Sequence, residues 1–389
     1  MKVINEINKF HEEMTEWRQD IHKHPELKFD ELRTSELVAK KLNEFGLEVH
    51  RGLAKTGVVG KLCNGDGPSI GLRADMDALP IDEKNSFGHT SQNQGIMHAC
   101  GHDGHISMLL GAAKYLAASL NFKGTVNFIF QPAEEGGGGG EIMIKDGLFE
   151  KFPMDSVYGL HNWPSIPAGI FGVGAGPIMA AADLFELTIN ARGGHAAMPD
   201  QCIDPIIIAS QVINAFQSIP SRKTHPLDSV VLSITQIQAG DTFNIIPDSV
   251  KMSGTVRTFL KTTQKETLSN MTKIAEGICS SFGASCELNY MNGYPATINS
   301  IKETEISAKA VIDLLGEEKL IRNPKPSMGS EDFAYMLQER PGCYVWMGIG
   351  TTEKEGGCML HNSNYDFNDE VLPIGASYWA KLVENNLQI

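Results

Sequence analysis

The chain has 389 residues, a formal net charge of −14 and 42% hydrophobic residues, which suits one large or two ordinary domains with a sizeable core. The negative charge argues against nucleic acid as a partner, because binding it means neutralising phosphates with Lys and Arg. The N-terminal stretch lacks the apolar run of a signal peptide, and no window approaches the ~18 apolar residues of a membrane helix. We therefore expect a cytoplasmic protein that binds neither nucleic acid nor membrane.

The first part of the chain alternates helical and strand-like patterns. Helices are predicted over residues 3–20, 30–45 and 106–120, and short buried strands over 69–75, 124–130 and 155–160. Strands that are separated by helices indicate βαβ units, so we expect an α/β fold with a largely parallel sheet.

The middle of the chain follows a different order. Strands over 184–193, 229–240, 249–259 and 284–290 and helices over 205–219 and 262–282 give β-α-β-β-α-β, the ferredoxin-like arrangement. Helices are then predicted over 302–315, 331–339 and 371–386, with a strand over 343–349. We predict a main domain in two parts, residues 1–182 and 294–389, interrupted by an inserted domain over 183–293.

The seven cysteines are odd in number and irregularly spaced, so they do not predict a disulfide framework. We interpret six of them as small buried or surface residues: Cys63, Cys202, Cys279, Cys286, Cys343 and Cys358. Cys100 differs, because it lies among histidines and is a candidate metal ligand.

The segment MHACGHDGH holds the densest group of candidate ligands, which are His98, Cys100, His102, Asp103 and His105. It precedes a predicted helix, so we expect a loop at a helix N-terminus. Gly101 lets the backbone bend so that Cys100 and His102 face one point. Thiolate and imidazole are ordinary ligands of Zn²⁺ and related ions. The alternative is a polar cap with a buried thiol.

The segment QPAEEGGGGG sets two adjacent carboxylates, Glu134 and Glu135, directly before five glycines. They follow one predicted strand and His161 follows another, so all three lie where ligands gather at the carboxyl ends of parallel strands. One carboxylate can bind metal while its neighbour moves protons, and the glycines permit an unusual backbone path. A solvated acidic loop is the alternative, which the cysteine–histidine cluster elsewhere in the chain disfavours.

A set of motifs in a fixed order resembles the M20-type metallo-amidohydrolases: GLRADMDALP, MHACGHDGH, FQPAEEGGGG, GLHNWP, ARGGHAAMP, NIIPD, SEDFA and LHNSNYDFND. The subgroup resembled contains hippurate hydrolases, N-acyl-amino-acid deacylases and auxin-conjugate hydrolases, and the resemblance covers nearly the whole chain. It implies a zinc-peptidase-like catalytic domain of three layers. It also implies that the inserted ferredoxin-like domain serves as a lid and dimerisation domain.

The resemblance implies two divalent metal ions (Zn, Mn, Co or Ni) bridged by a water or hydroxide. The implied ligands are Cys100, His102, Glu135, His161 and His361, and the sequence has all of them. In the same pattern Glu134 is the unliganded general base, which takes a proton from the metal-activated water and delivers it to the leaving amine.

Further residues receive roles from the same resemblance. Asp77 is the carboxylate expected to orient a ligating histidine, with Asp75 as the alternative. His98 and His105 match no ligand position, so we expect them in structural hydrogen bonds. For the SEDFA segment, Glu331 near the substrate and Ser330 as a helix cap are equally plausible.

Three residues of the inserted domain are candidates for substrate contact. The resemblance implies that His195 reaches the active site of the neighbouring subunit and that Asn244 contacts substrate. Arg257 can pair with a substrate carboxylate, although an exposed strand arginine is an equal alternative. Alternating strands offer an edge for pairing between subunits, so we expect a homodimer.

These residues favour metal-dependent hydrolysis of the amide bond of a small-molecule N-acyl amino acid, of the hippurate or N-acetyl type, to a carboxylate and a free amino acid. The alternative within enzymes is a dipeptidase or aminopeptidase that uses the same dinuclear site. A metal-storing or ligand-binding protein is the alternative outside enzymes, and it leaves Glu134 and His195 without a use.

Overall fold

A computed structural model describes residues 3–350 and 358–389. Its strands are β1 Glu48–Leu53, β2 Gly57–Asn64, β3 Ser69–Asp75, β4 Gly124–Gln131, β5 Ser156–Trp163, β6 Phe171–Val173, β7 Gly176–Met179, β8 Ala181–Asn190, β9 Gly194–His195, β10 Val230–Gln238, β11 Ile245–Ile246, β12 Ser249–Thr258, β13 Ser285–Tyr294, β14 Thr297–Asn299, β15 Leu320–Arg322 and β16 Gly342–Gly348. Its helices are α1 Asn5–Asn8, α2 His11–Lys23, α3 Leu32–Glu44, α4 His102–Ser119, α5 Glu134–Gly137, α6 Gly139–Lys145, α7 Leu148–Lys151, α8 Pro205–Phe216, α9 Lys261–Ser281, α10 Ile301–Leu315, α11 Phe333–Glu339 and α12 Leu372–Asn386.

The described residues divide into two compact units. The first takes the chain up to Ile178 together with the described parts of 298–325 and 332–389, and the second takes Met179–Thr297 and Pro326–Glu331. The first unit is therefore discontinuous in sequence.

The first unit is built on a mixed sheet with strand order β1-β2-β4-β3-β5-β16-β6-β15. Its central strands β4, β3, β5 and β16 are parallel neighbours, which agrees with the largely parallel sheet predicted from the sequence. The outer strands β1 and β2 pair antiparallel with their neighbours. The sequence analysis missed β1, because half of the residues of this edge strand are exposed and the strand shows no buried apolar alternation.

Helices cover both faces of this sheet. Alternate residues of β16 face opposite ways: Val345 joins the main core with residues of α4 and α12, whereas Tyr344 packs on Phe333 of α11 with ring centroids 5.7 Å apart. Helix α4 is buried nearly all round, as its almost continuous apolar sequence requires. This three-layer α/β arrangement confirms the predicted fold class.

The second unit has an antiparallel sheet with strand order β10-β12-β8-β13. Its strands and the helices α8 and α9 follow the predicted order β-α-β-β-α-β. Strand β8 alternates, so that Phe185, Leu187 and Ile189 are buried in a separate core with residues of both helices. The ferredoxin-like arrangement expected for the middle of the chain is confirmed, and β10 and β13 are its edge strands.

Among the described residues, no helix combines the length and the apolar content that a bilayer crossing requires. All seven cysteines lie in the described part of the chain and are free thiols, which confirms that they form no disulfide framework.

Candidate metal centre

Cys100 and His102 lie where the chain enters helix α4. Cys100 belongs to the loop and His102 is the first helical residue, with Gly101 between them at φ 91°. A side chain at Gly101 would lie 2.5 Å from the amide oxygen of Asn162, so only glycine permits this close approach. His102 Nδ1 donates to the backbone oxygen of Asp77 at 2.8 Å, which leaves Nε2 as the ring nitrogen available to a metal ion.

Glu134 and Glu135 begin the short turn that follows strand β4. The backbone N–H groups of both residues donate to the carboxylate of Asp77, each at 2.9 Å. The Glu134 carboxylate is buried, and the backbone N–H of Asp332 lies 3.4 Å from its Oε1. Both glutamates have a carboxylate oxygen within 4.8 Å of a ring nitrogen of His102, so the pair points into the histidine cluster rather than into solvent.

His161 and His361 complete the group from two other parts of the chain. His161 lies within β5 near its carboxyl end, and its Nε2 is 3.4 Å from Cys100 Sγ. His361 has the unusual φ of 64° and its Nε2 is 3.2 Å from Glu135 Oε1. Donor atoms of Cys100, Glu135 and His361 all lie within 4.8 Å of one another. Each residue predicted as a ligand therefore has a donor atom in one connected cluster.

The donor set of this cluster fits divalent ions. One thiolate, three imidazoles and one carboxylate are a mixed set of soft, intermediate and hard ligands that zinc, manganese and cobalt accept. Among the described residues, the buried His102 Nε2 has no hydrogen-bond partner, and Glu135 Oε1 has no hydrogen bond beyond its 3.2 Å ion-pair contact with His361 Nε2. Buried polar atoms are rarely left without a partner, so a cation would supply the partner that His102 Nε2 lacks.

The electrostatics of the cluster also favour a cation. Burial, together with the carboxylates of Glu135 and Glu134, raises the pKa of the Cys100 thiol well above its usual range. Burial lowers the pKa of His102, but the carboxylates of Asp75, Asp77 and Glu135 together outweigh it and the net pKa rises to about 10. Burial holds the pKa of His161 well below its usual range, so this ring is neutral and ready to coordinate.

The family of the chain follows from comparison with known proteins. The model of Peptidase family M20/M25/M40 matches residues 71–385. The chain is 44% identical over 383 residues to a hippurate hydrolase of Campylobacter jejuni, with 98% of each chain covered. It belongs to peptidase family M20/M25/M40.

Other members of the family carry different names. A thermostable carboxypeptidase 2 of Saccharolobus solfataricus is 38% identical, and the alignment covers 98% of this chain and 97% of the carboxypeptidase. An N-acetylcysteine deacetylase of Bacillus subtilis is 38% identical, with 96% of each chain covered. A Bacillus subtilis crystal structure, described as a dinuclear metal binding peptidase from M20 family, has a TM-score of 0.86 at 35% identity and covers 98% and 99% of the two chains.

Asp77 and Asp75 both lie beside the histidines, with different partners. The Asp77 carboxylate holds the backbone of Glu134 and Glu135, and its Oδ1 is 3.5 Å from His102 Nδ1. Asp75 Oδ1 lies 2.6 Å from His105 Nδ1, and Asp75 Oδ2 lies 3.7 Å from His102 Nε2. The shorter contact of His102 Nδ1 is with the backbone oxygen of Asp77, at 2.8 Å, so the part of the Asp77 carboxylate in orienting His102 as a ligand stays a prediction.

His98 and His105, the two remaining histidines of MHACGHDGH, were both expected to form structural hydrogen bonds, and only one of them does. His105 contacts Asp75 and the Asn162 Oδ1, each at 2.6 Å, which confirms the expected structural hydrogen bonds. The same expectation is wrong for His98. Its ring is buried, and neither ring nitrogen has a hydrogen-bond partner among the described residues. Burial lowers the pKa of His98 to about 3, so the ring packs as a neutral group.

The candidate substrate residues all belong to the second unit. His195 in β9 pairs with Ile245 in β11, and the backbone oxygen of Asn244 accepts from Ala196 N at 3.0 Å. The structure therefore brings His195 and Asn244 together at an exposed, two-stranded antiparallel sheet formed by β9 and β11. Arg257 is half-buried in β12, where burial lowers the pKa of its guanidinium and Asp183 partly offsets that effect.

Ser330 does not cap a helix. Helix α11 starts at Phe333 after Asp332 and has no side-chain cap, and Ser330 Oγ instead accepts from Arg257 Nη1 at 3.3 Å. The capping role considered for Ser330 is therefore wrong, because the helix begins later than the sequence pattern suggested.

The sequence analysis missed a buried polar network behind the glutamates. Arg73 donates to Gln131, Asp75 and Asp332 at 2.8 to 2.9 Å, and Gln131 Nε2 donates to Asp332 Oδ1 at 2.7 Å. A charged Arg within the apolar strand SIGLRAD was the available signal, because a buried arginine requires carboxylate partners.

Proposed function

We propose that this protein hydrolyses the amide bond of N-acyl amino acids and releases a carboxylate and a free amino acid. The observation that carries the proposal is the convergence of Cys100, His102, Glu135, His161 and His361 on one cluster with Glu134 beside it. The names of the hippurate hydrolase and N-acetylcysteine deacetylase relatives support the substrate class.

In this proposal the five converging side chains hold two divalent ions. When bound, the ions lower the pKa of a water molecule and stabilise negative charge on the substrate carbonyl oxygen. Cys100 would coordinate as a thiolate, because the positive charge of the ions would offset the burial and the carboxylates that raise its pKa. A titration of activity against metal content would identify the ions among Zn, Mn, Co and Ni.

Glu134 is the residue proposed to move the proton. Its carboxylate is buried beside the donor cluster, and the backbone N–H of Asp332 at 3.4 Å helps to hold its orientation. It accepts a proton from the attacking water and passes it to the amide nitrogen as the C–N bond breaks. Asp77 keeps the Glu134–Glu135 backbone in place through two hydrogen bonds of 2.9 Å.

The residues of the second unit are proposed to recognise the substrate. Arg257 receives the substrate α-carboxylate by bidentate pairing, and Asn244 contacts the same substrate. The partner subunit's His195 stabilises the oxyanion in the neighbouring active site, which requires a homodimer. We further propose that residues 183–293 form the lid and dimerisation domain between the catalytic segments 1–182 and 294–389, and that the enzyme acts in the cytoplasm.

A second candidate is a peptidase that uses the same metal centre, which the thermostable carboxypeptidase 2 relative favours. The two functions differ at the nitrogen: an acylated α-nitrogen for the first, and a peptide with a free α-amino group for a dipeptidase or aminopeptidase. A panel of N-benzoyl amino acids, N-acetyl amino acids and unblocked dipeptides, assayed with added Mn²⁺ or Zn²⁺, separates them. We expect faster turnover of the acylated compounds. Turnover of dipeptides alone would contradict the proposal.

A further inference from the structure

The turn that carries the two glutamates has an unusual backbone path. Ala133 lies at φ 55°, and Gly136 and Gly138 lie at φ 72° and 66°, in the left-handed region. Glu135 and Gly136 depart from helical angles within the short segment α5. Backbone N–H groups in such a segment have few regular helical acceptors, so side chains must satisfy those that are buried.

Three buried carboxylates supply these acceptors. Besides Asp77, which holds the glutamate amides, two residues from remote parts of the chain act at the ends of the turn. Glu31 Oε1 accepts from Ala133 N at 2.9 Å, and Asp332 Oδ2 accepts from Gly140 N at 2.8 Å. The side chains of Glu31 and Asp332 are both buried.

We propose that Glu31 and Asp332 are positioning residues for the Glu134–Glu135 pair. They hold the two ends of the turn, so that the glutamate carboxylates stay directed at the donor cluster. The inference rests on the proposed function, because it assigns the two residues an effect on turnover through Glu134. Neither residue is a predicted metal ligand, and the side chain of each contacts the backbone of the turn. The direct contact of Asp332 with Glu134 is made by its backbone N–H, which a side-chain substitution leaves in place.

Asp332 also connects the turn to the histidine side of the cluster. Its Oδ1 accepts from Arg73 Nη2 at 2.9 Å, and Arg73 Nη1 donates to Asp75 Oδ2 at 2.8 Å. Asp75 in turn contacts His105. The Arg73 guanidinium therefore links Asp332, which holds the turn, with Asp75, which lies beside the histidines. A substitution at Asp332 is expected to affect the turn and this ion pair together.

Glu31 offers a matched pair of substitutions. Its second oxygen, Oε2, accepts from the hydroxyl of Thr56 at 2.6 Å. In Glu31→Gln the amide oxygen can still accept from Ala133 N, because the Thr56 hydroxyl can rotate and accept from the new NH₂ group. Glu31→Met has nearly the same size, but its thioether sulfur is only a weak acceptor for Ala133 N. A role in packing alone predicts similar turnover for both variants, whereas a positioning role separates them.

Asp332→Asn tests the other end of the turn. Asp332 Oδ1 accepts from Arg73 and Gln131, and Oδ2 accepts from Gly140, so an amide NH₂ in either place faces a donor group. The control is Asp155→Asn, because the Asp155 carboxylate also accepts a backbone N–H, from Ser69 at 2.8 Å, but lies at the opposite, amino-terminal end of strand β5.

The experiment measures kcat and KM for N-benzoylglycine, metal content per subunit and Tm for the wild type and these variants. We expect kcat to fall about 10- to 100-fold in Glu31→Met and Asp332→Asn, since a displacement near 1 Å can cost that much. KM and metal content should change little, and Glu31→Gln and Asp155→Asn should stay within about threefold of the wild type.

The outcomes separate this inference from the proposed function. A wild type without turnover overturns the proposed function itself. An active wild type with unchanged kcat in metal-loaded, folded Glu31→Met and Asp332→Asn overturns the positioning role alone. If Glu31→Met does not fold, the comparison of kcat between Asp332→Asn and Asp155→Asn still tests the positioning role.

Discussion

Cys100 Sγ and His161 Nε2 lie 3.4 Å apart, although 61 positions separate the two residues in the sequence. One stands in the loop before α4 and the other near the carboxyl end of β5. The parallel sheet brings both to the edge at which ligands gather in α/β folds.

Replacement of Glu134 tests the proton-transfer role. Glu134→Gln keeps the size of the side chain and removes the base, so we expect kcat to fall by about 10²- to 10⁴-fold. The metal content should stay at the wild-type value, because Glu134 is not among the proposed ligands. Steady-state assays with N-benzoylglycine and elemental analysis of the same preparation check both points. A near-wild-type kcat would rule out this mechanism.

Removal of the metal ions tests the proposed cofactor. Dialysis against a chelator should abolish hydrolysis, and added Mn²⁺, Zn²⁺ or Co²⁺ should restore it at about two ions per subunit. The measurement is a titration of activity against metal content, which also ranks the ions. Full activity in protein shown by elemental analysis to be metal-free would refute the cofactor assignment.

Arg257 is predicted to receive the substrate carboxylate. Arg257→Met should raise KM about 10- to 100-fold for an N-acyl amino acid, because a charge-assisted pair is lost. The matched substrate control is the methyl ester of the same compound, which lacks the charge and should respond far less to the substitution. Equal effects on the acid and the ester would show that Arg257 has no such contact.

His195 is predicted to act across the subunit boundary. In that case His195→Ala and Glu134→Ala subunits should each be inactive alone, and mixed dimers should regain part of the wild-type activity. Each mixed dimer then holds one active site with both groups intact. Verified heterodimers without any regained activity would argue against a shared site.

The buried ion pair between His22 and Asp103, a residue of the MHACGHDGH segment, predicts that the stability of the fold depends on pH. His22 contacts the carboxylates of Asp103 at 2.8 Å and Glu83 at 3.1 Å. Burial opposes its protonation, but these carboxylates outweigh it and raise the pKa of His22 to about 9 from an ordinary 6.5. The protonated ring therefore stabilises the folded chain fully below pH 6.5, and that contribution disappears as the pH rises through 9.

The contribution of protonated His22 to the unfolding free energy amounts to about 3 kcal/mol at most, given 1.36 kcal/mol for each pKa unit. Chemical denaturation of the wild type and His22→Gln checks it at pH 6 and pH 9.5. We expect the difference in unfolding free energy between the two proteins to shrink at the higher pH. A difference that stays constant, or grows, would show that His22 is not the protonated partner of these carboxylates.

The order of the longer elements could be predicted from the sequence because their signals are local, whereas the set of five predicted ligands came from the family resemblance. The buried strands SIGLRAD and GTVNFIF appear as β3 and β4 with nearly the expected bounds. The ferredoxin-like unit was equally readable, because strands such as β8 alternate clearly between buried and exposed residues.

Asp332 shows what the sequence could not provide. Its partners Arg73, Gln131 and Gly140 are 259, 201 and 192 positions away, and no periodicity or composition links such distant residues. The prediction for His98 failed for a related reason, since whether a buried ring finds a partner depends on the packing of remote segments.

The ligand set is tested most directly by anomalous X-ray scattering from crystals grown with Mn²⁺ or Zn²⁺. The account predicts two anomalous peaks, coordinated by Cys100, His102, Glu135, His161 and His361, with Glu134 beside them and bound to neither. A map without paired peaks at this cluster, or with Glu134 as a ligand and Cys100 remote from both ions, would contradict it.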